Sequence, residues 1–363
     1  MGWMVPQIVL RGRNAMRMLI YADPHWCRTS SILRSYGEHH TTRLENLIKS
    51  LNFVEEAAVA YGCDAVLCLG DFFDRANLDA EEITALRDVR FSEGIEHIFL
   101  VGNHDAYNMD NSVNISNIFG LSEDFHIIDA PHVIKEHSDT GDIELCFWPY
   151  NRESEKVDLS QIFGEFNKDT TRYIFSHNDI KGIQYGAAVS TVGIDLQYLT
   201  ENCTACFNGH IHNGEIVSRN VTNVGNLTGL NFSEDAFKYK HRCIILDTMT
   251  GEGKSILNPY ALNFIKMDCK EYDWEETELP DNVVVSASCY IQDVDKVQKW
   301  MSDKNVLASK VTSVKQDMSE DDKTVAIEKP DHLKMFYQYV MKNIGADDIT
   351  KEEAQKVIGG VQA

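Results

Sequence analysis

No stretch of this sequence approaches the roughly 18 consecutive apolar residues that a membrane-spanning helix needs, which excludes that class of protein. The opening residues 1–17, MGWMVPQIVLRGRNAMR, are too short and too interrupted for a secretory signal. They read as a loose extension or a mis-called start, with the folded pattern beginning at Met18 and a cytoplasmic location expected. A second CxxC is also missing: Cys203 and Cys206 form the only one, too few thiolates for a four-ligand structural zinc site. The nine cysteines are odd in number, and Cys63, Cys68, Cys146 and Cys243 sit inside apolar runs, which suits reduced core thiols rather than a disulfide framework. Cations are in deficit, 34 Lys and Arg against 56 Asp and Glu, for a net charge of -22. That excludes wholesale electrostatic binding of nucleic acid. It leaves room for a local basic groove, for a site whose bound cations change the local field, or for a partner that carries a polynucleotide. There is no internal repeat.

What is present is a globular composition, 43% hydrophobic and 25% charged, over 363 residues, long enough for two or more domains. From Met18, MLIYA, DAVLCLG and IEHIFLVG read as strands, alternating with the helical patterns TTRLENLIKSLNFVEEAAVAYG and DAEEITALRDVRF. This βαβαβ rhythm predicts a largely parallel sheet covered by helices. After residue 125, HVIKEH, IELCFWPY, TRYIFSH, TACFNGH, GEIVSR and RCIILDT read as strands of a second, more antiparallel sheet packed on the first. The expected divisions are an extension over 1–17, a main α/β domain over 18–260, a small β-α-β unit over 261–316 and an acidic linker over 317–329. A helical tail over 330–363 completes the chain. In that tail Leu333, Phe336, Tyr337, Val340 and Ile344 fall on one helix face.

Five short motifs end apolar runs: ADPH (Asp23, His25), GDFFD (Asp71, Asp74), GNHD (Asn103, His104, Asp105), SHND (His177) and GHIH (His210, His212). Alone, a DxH is an ordinary surface turn, and GDFFD could end a strand with Asp71 capping a helix. Together they gather ligand-type side chains beyond the carboxyl ends of strands, where open α/β sheets build their sites. The i, i+2 spacing of Asp23 with His25 and of His210 with His212 points both members of each pair one way in extended chain. Carboxylate, imidazole and amide oxygen without thiolate suit manganese, iron or zinc. Seven such groups exceed the needs of one ion and suit two, about 3.5–4 Å apart with a shared carboxylate.

The ordered set DxH, GDxxD, GNHD, H and GHxH, over roughly residues 18 to 250, resembles the calcineurin-like metallophosphoesterase superfamily. Within it the chain most resembles the SbcD-type nucleases, the relatives of meiotic recombination eleven and their phage-encoded counterparts. WPYNRE, SHNDIKG and VGNLTG reinforce the likeness, although Trp26 and Cys27 follow the DxH and no proline follows GHIH. The resemblance implies a metallophosphoesterase-type two-sheet sandwich flanked by helices, with a small α+β cap domain and a partner-binding helical tail. It implies that Asp23, His25 and His212 hold one divalent ion, that Asn103, His177 and His210 hold the other, and that Asp71 bridges them, with Mn2+ the expected metal. His104 would then work on the scissile phosphate, Asp105 would orient His104, and Asp74 would support rather than ligate. Ala76 and Val101 stand where the phosphoprotein phosphatases carry glycine and arginine, which favours a nuclease.

The implied activity is cleavage of DNA at double-strand ends or hairpins, as an exonuclease or endonuclease in recombination, repair or replication. The implied partners are an SbcC-like ABC ATPase, gripped by the tail helix (Leu333, Phe336, Tyr337, Val340, Ile344), and a second copy of the chain. A phage-encoded version would act in the bacterial host's cytoplasm. Two other readings stay open: a metallophosphoesterase for a small phosphodiester, nucleotide or phosphoprotein, and a non-catalytic scaffold for the ATPase. The remaining histidines (His39, His40, His97, His126, His132, His137, His241, His332) lack matching contexts and are expected to be structural.

Overall fold

The structure is a computed structural model that describes residues 16–29, 37–120, 122–138, 141–185, 188–234, 236–270 and 273–315. The tail residues 330–363, with the five apolar positions from Leu333 to Ile344, and the linker 317–329 lie outside the described residues.

In chain order the first elements are β1 (Arg17–Tyr21), α1 (Thr42–Ala60), β2 (Ala65–Cys68), α2 (Ala80–Ala85), β3 (Glu96–Leu100) and β4 (Phe125–Ile128). Then come β5 (His132–Ser138), β6 (Gly141–Trp148), α3 (Leu159–Phe163) and β7 (Thr171–Ser176). Four two-residue strands follow: β8 (Ile180–Lys181), β9 (Gln184–Tyr185), β10 (Ala188–Val189) and β11 (Ile194–Asp195). After α4 (Leu196–Glu201) the chain forms β12 (Ala205–Asn208), β13 (Glu215–Ser218), β14 (Val221–Asn223), β15 (Arg242–Asp247) and β16 (Gly253–Leu257). The last elements are β17 (Asn263–Asp268), β18 (Val283–Tyr290), α5 (Val294–Asp303) and β19 (Ala308–Val314).

Two six-stranded sheets, ordered β16-β15-β1-β2-β3-β4 and β13-β14-β12-β7-β6-β5, form the sandwich. Alternation along each strand explains the layering, because successive side chains point to opposite faces. Met18 and Ile20 of β1 join Leu67, Ile98, Leu145, Phe147, Phe175 and Phe207 in the layer between the sheets. Leu19 and Tyr21 face the other way, into a core shared with Leu44, Leu47, Leu51, Val54 and Ala58 of α1. On the far face of the second sheet, Cys146, Trp148, Ile174 and Cys206 pack under Leu159, Phe163 and Leu199 of α3 and α4. With both faces covered, the central strands are rich in apolar residues, as buried parallel strands are, and the charged Glu144 and Arg172 on β6 and β7 pair with each other.

The helices begin and end for local reasons. Thr41 is extended, and its side chain accepts from Leu44 N at the start of α1. Past the other end, Gly62 takes φ +62°, and Cys63 N–H reaches back to the Ala58 carbonyl. Asp79 and Glu82 form a capping box at α2.

Three expectations are corrected. The second sheet is parallel at its centre (β6, β7, β12 and β14) and antiparallel only at its two edge pairs. RCIILDT, expected in that sheet, is β15 and lies antiparallel to β1 in the first sheet. The helix expected over DAEEITALRDVRF stops at Ala85 and tightens into a 3-10 turn over Leu86–Asp88, which lets Val89 turn into the core. Beyond the sandwich, β17, β18 and β19 make a three-stranded parallel sheet with α5 as its crossover. Its core holds Ile265, Val285, Ala287, Val297 and Met301.

Candidate metal centre

The loops that follow β1, β2, β3, β7 and β12 meet at one end of the sandwich, where the two sheets bring their parallel carboxyl ends together. The first two loops are zipped by backbone bonds, Asp23 N to Gly70 O at 3.2 Å, His25 N to Asp71 O at 3.1 Å and Trp26 N to Phe72 O at 2.7 Å. Phe72 and Phe73 plunge into the core, Phe72 against Phe99 and Phe119 with ring centroids 5.4 and 5.2 Å away. This anchors GDFFD from below. Glycine is needed where the loops cross: a Cβ on Gly102 would sit 2.1 Å from Asp71 Oδ1, and one on Gly70 2.4 Å from His177 Nδ1.

Seven described non-glycine residues have positive φ, and four of them are Asp23, His25, Asp71 and His210. Backbone strain costs of order 1–3 kcal/mol per residue and persists where the surroundings impose it for function. Here it aims four polar side chains inward. Ligand-type atoms converge in three groups, each within 4.8 Å: Asp23, His25 and His212; Asp71, His177 and His210; His25, Asp71 and His104. Asp71 belongs to two of them. Its Oδ1 accepts from His104 N at 2.8 Å, while Oδ2 lies 3.2 Å from His177 Nε2 and 3.9 Å from His25 Nε2. Asn103 Oδ1 completes the second group, 3.2 Å from His177 Nε2 and 2.9 Å from His210 Nδ1. All seven residues expected as ligands therefore face one another.

The electrostatics fit cations at this place. Asp23, Asp71 and Asp105 are all essentially inaccessible to solvent, and buried carboxylates need compensating positive charge. Burial alone would raise the Asp71 carboxyl, but His177 and His25 hold it well below the ordinary carboxylate range. Burial likewise opposes charge on His177, yet Asp71 and Asp23 push that imidazole up. His25 Nε2 and His212 Nε2 lie 3.1 Å apart, two ring nitrogens aimed at one point. Together the donor set fits a dinuclear divalent metal site.

Asp105 departs from its expected place. Its carboxylate does not touch His104; it accepts from Phe73 N and Gly102 N, each at 2.9 Å, and so clamps two loops together. Burial and the neighbouring Asp71 carboxylate raise its pKa against those two donors. The ring of the exposed His104 is held by the Asp74 carbonyl, 2.7 Å from Nδ1. Asp74 supports in a second way, with Oδ1 3.3 Å from His25 Nδ1.

Several supporting residues escaped sequence reasoning. Glu234 Oε1 lies 3.1 Å from His212 Nδ1, and Asp179 Oδ1 lies 3.3 Å from His210 Nε2. Asp179 ends the SHND motif and could have been suspected, whereas Glu234 stands in no motif. Arg43, wholly buried, donates to Pro24 O at 3.0 Å and Gly229 O at 2.7 Å, binding α1 to two of the loops. Away from the cluster His40 pairs with Asp88, His97 with Glu55, His126 with Glu96 and His137 with Asp142. All nine cysteines are free and buried.

The family model for calcineurin-like phosphoesterases matches residues 16–214, more than half of the chain. The chain belongs to the calcineurin-like phosphoesterase family. The matched span carries all seven converging residues and His104. No curated protein matches this phosphoesterase. Solved structures similar to it include TT1561 of Thermus thermophilus, at 12% identity and TM-score 0.38, covering 67% of this chain and 99% of that one. A novel archaeal phosphodiesterase, at 15% identity and TM-score 0.32, covers the same shares. A dimetal phosphatase from Danio rerio, at 12% and 0.35, also covers 67% of this chain and 99% of its own. Likeness of that order carries no argument about substrate. No helix among the described residues is long and apolar enough to cross a membrane.

Proposed function

We propose that this phosphoesterase is an SbcD-like nuclease subunit, hydrolysing DNA phosphodiester bonds at double-strand ends or hairpins together with an SbcC-like ABC ATPase. The observation that carries the hydrolytic part is the convergence of two ligand groups on Asp71 beside an exposed histidine. Asp23, His25 and His212 would hold one divalent ion and Asn103, His177 and His210 the other, with Asp71 placed to serve both. The mixed oxygen and imidazole set favours manganese. Such ions, when bound, supply Lewis-acid activation of water and neutralise charge on phosphate oxygens.

The chain's own groups do the rest. Donation to the Asp74 carbonyl fixes the proton of His104 on Nδ1, so Nε2 is the nitrogen left for substrate. In the protonated ring Nε2 donates to a non-bridging phosphate oxygen, or gives its proton to the leaving oxygen. Asp71, held by the His104 backbone amide, couples that histidine to the ligand set. Asp105 keeps the two loops at fixed separation, since a shift of about 1 Å at such a site costs around a hundredfold in rate.

A DNA substrate is favoured over a phosphoprotein because Val101, where the phosphatases carry an arginine, is wholly buried and offers no cation. The sheet of β17, β18 and β19 gives a second surface that a small substrate does not need. On this reading the apolar tail residues from Leu333 to Ile344 are what the ATPase grips, and the ATPase carries much of the DNA contact that a chain of charge -22 cannot. A homodimer completes the assembly.

The test is incubation with linear and hairpin DNA in manganese, magnesium or chelator, with and without the ATPase. Manganese-dependent cleavage that chelator abolishes is expected. DNA left intact by the complex, beside ready hydrolysis of a small phosphodiester, would overturn the nuclease reading.

A further inference from the structure

We propose that Glu234 is a positioning residue that fixes His212 for metal binding, an inference that rests on the dinuclear reading above. It lies beyond the span of the family match, in a segment with no motif of its own. Its side chain is only 3% exposed, yet among the described residues no lysine or arginine pairs with it; its ion-pair partner is His212. Burying a carboxylate is costly unless it is fully bonded, and here it is. Oε1 accepts from His212 Nδ1 at 3.1 Å and from Asn226 Nδ2 at 3.0 Å, and Oε2 accepts from Leu230 N at 2.9 Å.

Those bonds determine which nitrogen of His212 is offered. With Nδ1–H given to Glu234, the Nε2 lone pair points into the group formed with Asp23 and His25. A carboxylate behind a ligating imidazole fixes both its tautomer and its ring orientation. Glu234 is also fastened to the other half of that group. Asn226 bridges to Ala22, and Leu227 N donates to Ala22 O at 2.8 Å, one residue before Asp23. Arg43 ties the Gly229 and Pro24 carbonyls, spanning the same two loops. The carboxylates behind His25 and His210 are more exposed, Asp74 at 33% and Asp179 at 27%, and His177 Nδ1 faces the Leu69 carbonyl instead. Of the three carboxylates, the one behind His212 is the buried one, and it is bonded through both oxygens.

The test is calorimetric titration of the whole metal-free chain with Mn2+, comparing wild type with Glu234→Gln and Glu234→Asp, beside the melting temperature of each in chelator. Wild type is expected to take up two ions. In Glu234→Gln one of the two should bind roughly 10–100-fold more weakly, with the other unchanged and the metal-free melting temperature retained. Should Glu234→Gln not fold, Glu234→Asp, which keeps the charge but withdraws it by one methylene, carries the comparison. Two ions bound with wild-type affinity by the folded variant would overturn the role of Glu234. Fewer than two ions bound by wild type would instead overturn the dinuclear reading beneath it.

Discussion

His104 is set apart from its neighbours by exposure and by its partners: its ring is open to solvent, meets the His25 ring edge-on, and is hydrogen-bonded through Nδ1 to the Asp74 carbonyl. Asn103 before it and Asp105 after it point into the interior, one toward His177 and His210, the other toward the Phe73 and Gly102 amides. Three adjacent side chains thus serve three different ends. A ring that touches substrate rather than metal should be removable without emptying the site. His104→Gln is expected to retain both divalent ions while phosphoester hydrolysis falls by roughly 10²–10⁴-fold, the usual contribution of a general acid. Metal analysis beside the cleavage rate decides it, and an ion lost from this variant would make His104 a ligand. That the GNHD residues share a function was legible from their polarity at a strand end. Which of them orients which was not, because the Asp74 carbonyl reaches His104 only after two loops close on each other.

Within the second sheet, one cross-strand pair controls part of the pH response. Glu144 of β6 stands opposite Arg172 of β7, and the carboxylate accepts from Arg172 Nε at 2.8 Å, with Lys135 of β5 3.0 Å from its other oxygen. Burial pulls the Glu144 pKa upward, but Lys135 and Arg172 outweigh it and hold it below its ordinary value of 4.5. A depressed folded pKa stabilises above the unfolded value and is lost as pH falls through the folded one. Wild type should therefore lose stability on acidification below about pH 4.5, and Glu144→Gln should lower the melting temperature at neutral pH while weakening that acid dependence. Melting curves across pH 3 to 7 check it; parallel curves for the two proteins would contradict it. The elements themselves were largely legible, because period-two and helical apolar patterns mark strands and α1. Sheet membership was not: β15 pairs with β1 from far along the chain, and nothing local in RCIILDT distinguishes that neighbour from a strand of the other sheet.

At the scale of the whole molecule, four buried carboxylates (Asp23, Asp71, Asp105 and Glu234) and five converging histidines sit where the two sheets meet. Ions that bind this cluster in the folded chain and not in the unfolded one stabilise the fold by mass action, so metal binding and stability are linked. Manganese at a hundred times its dissociation constant should add about 2.7 kcal/mol per independent site, seen as a higher melting temperature that chelator reverses. An unchanged melting temperature at saturating manganese would contradict the link.

The sequence by itself pointed to the cluster of ligand-type side chains, since five such motifs at the ends of apolar runs have few other uses together. It determined the parallel run β1, β2 and β3 of the first sheet and the layered core through residue periodicity. The tertiary structure alone decided what stands behind the ligands. Asp74 behind His25, Glu234 behind His212 and the Asp105 clamp between loops depend on contacts between distant segments. The reason is geometric: a ligand announces itself by its own chemistry, whereas a brace is defined only by what it touches.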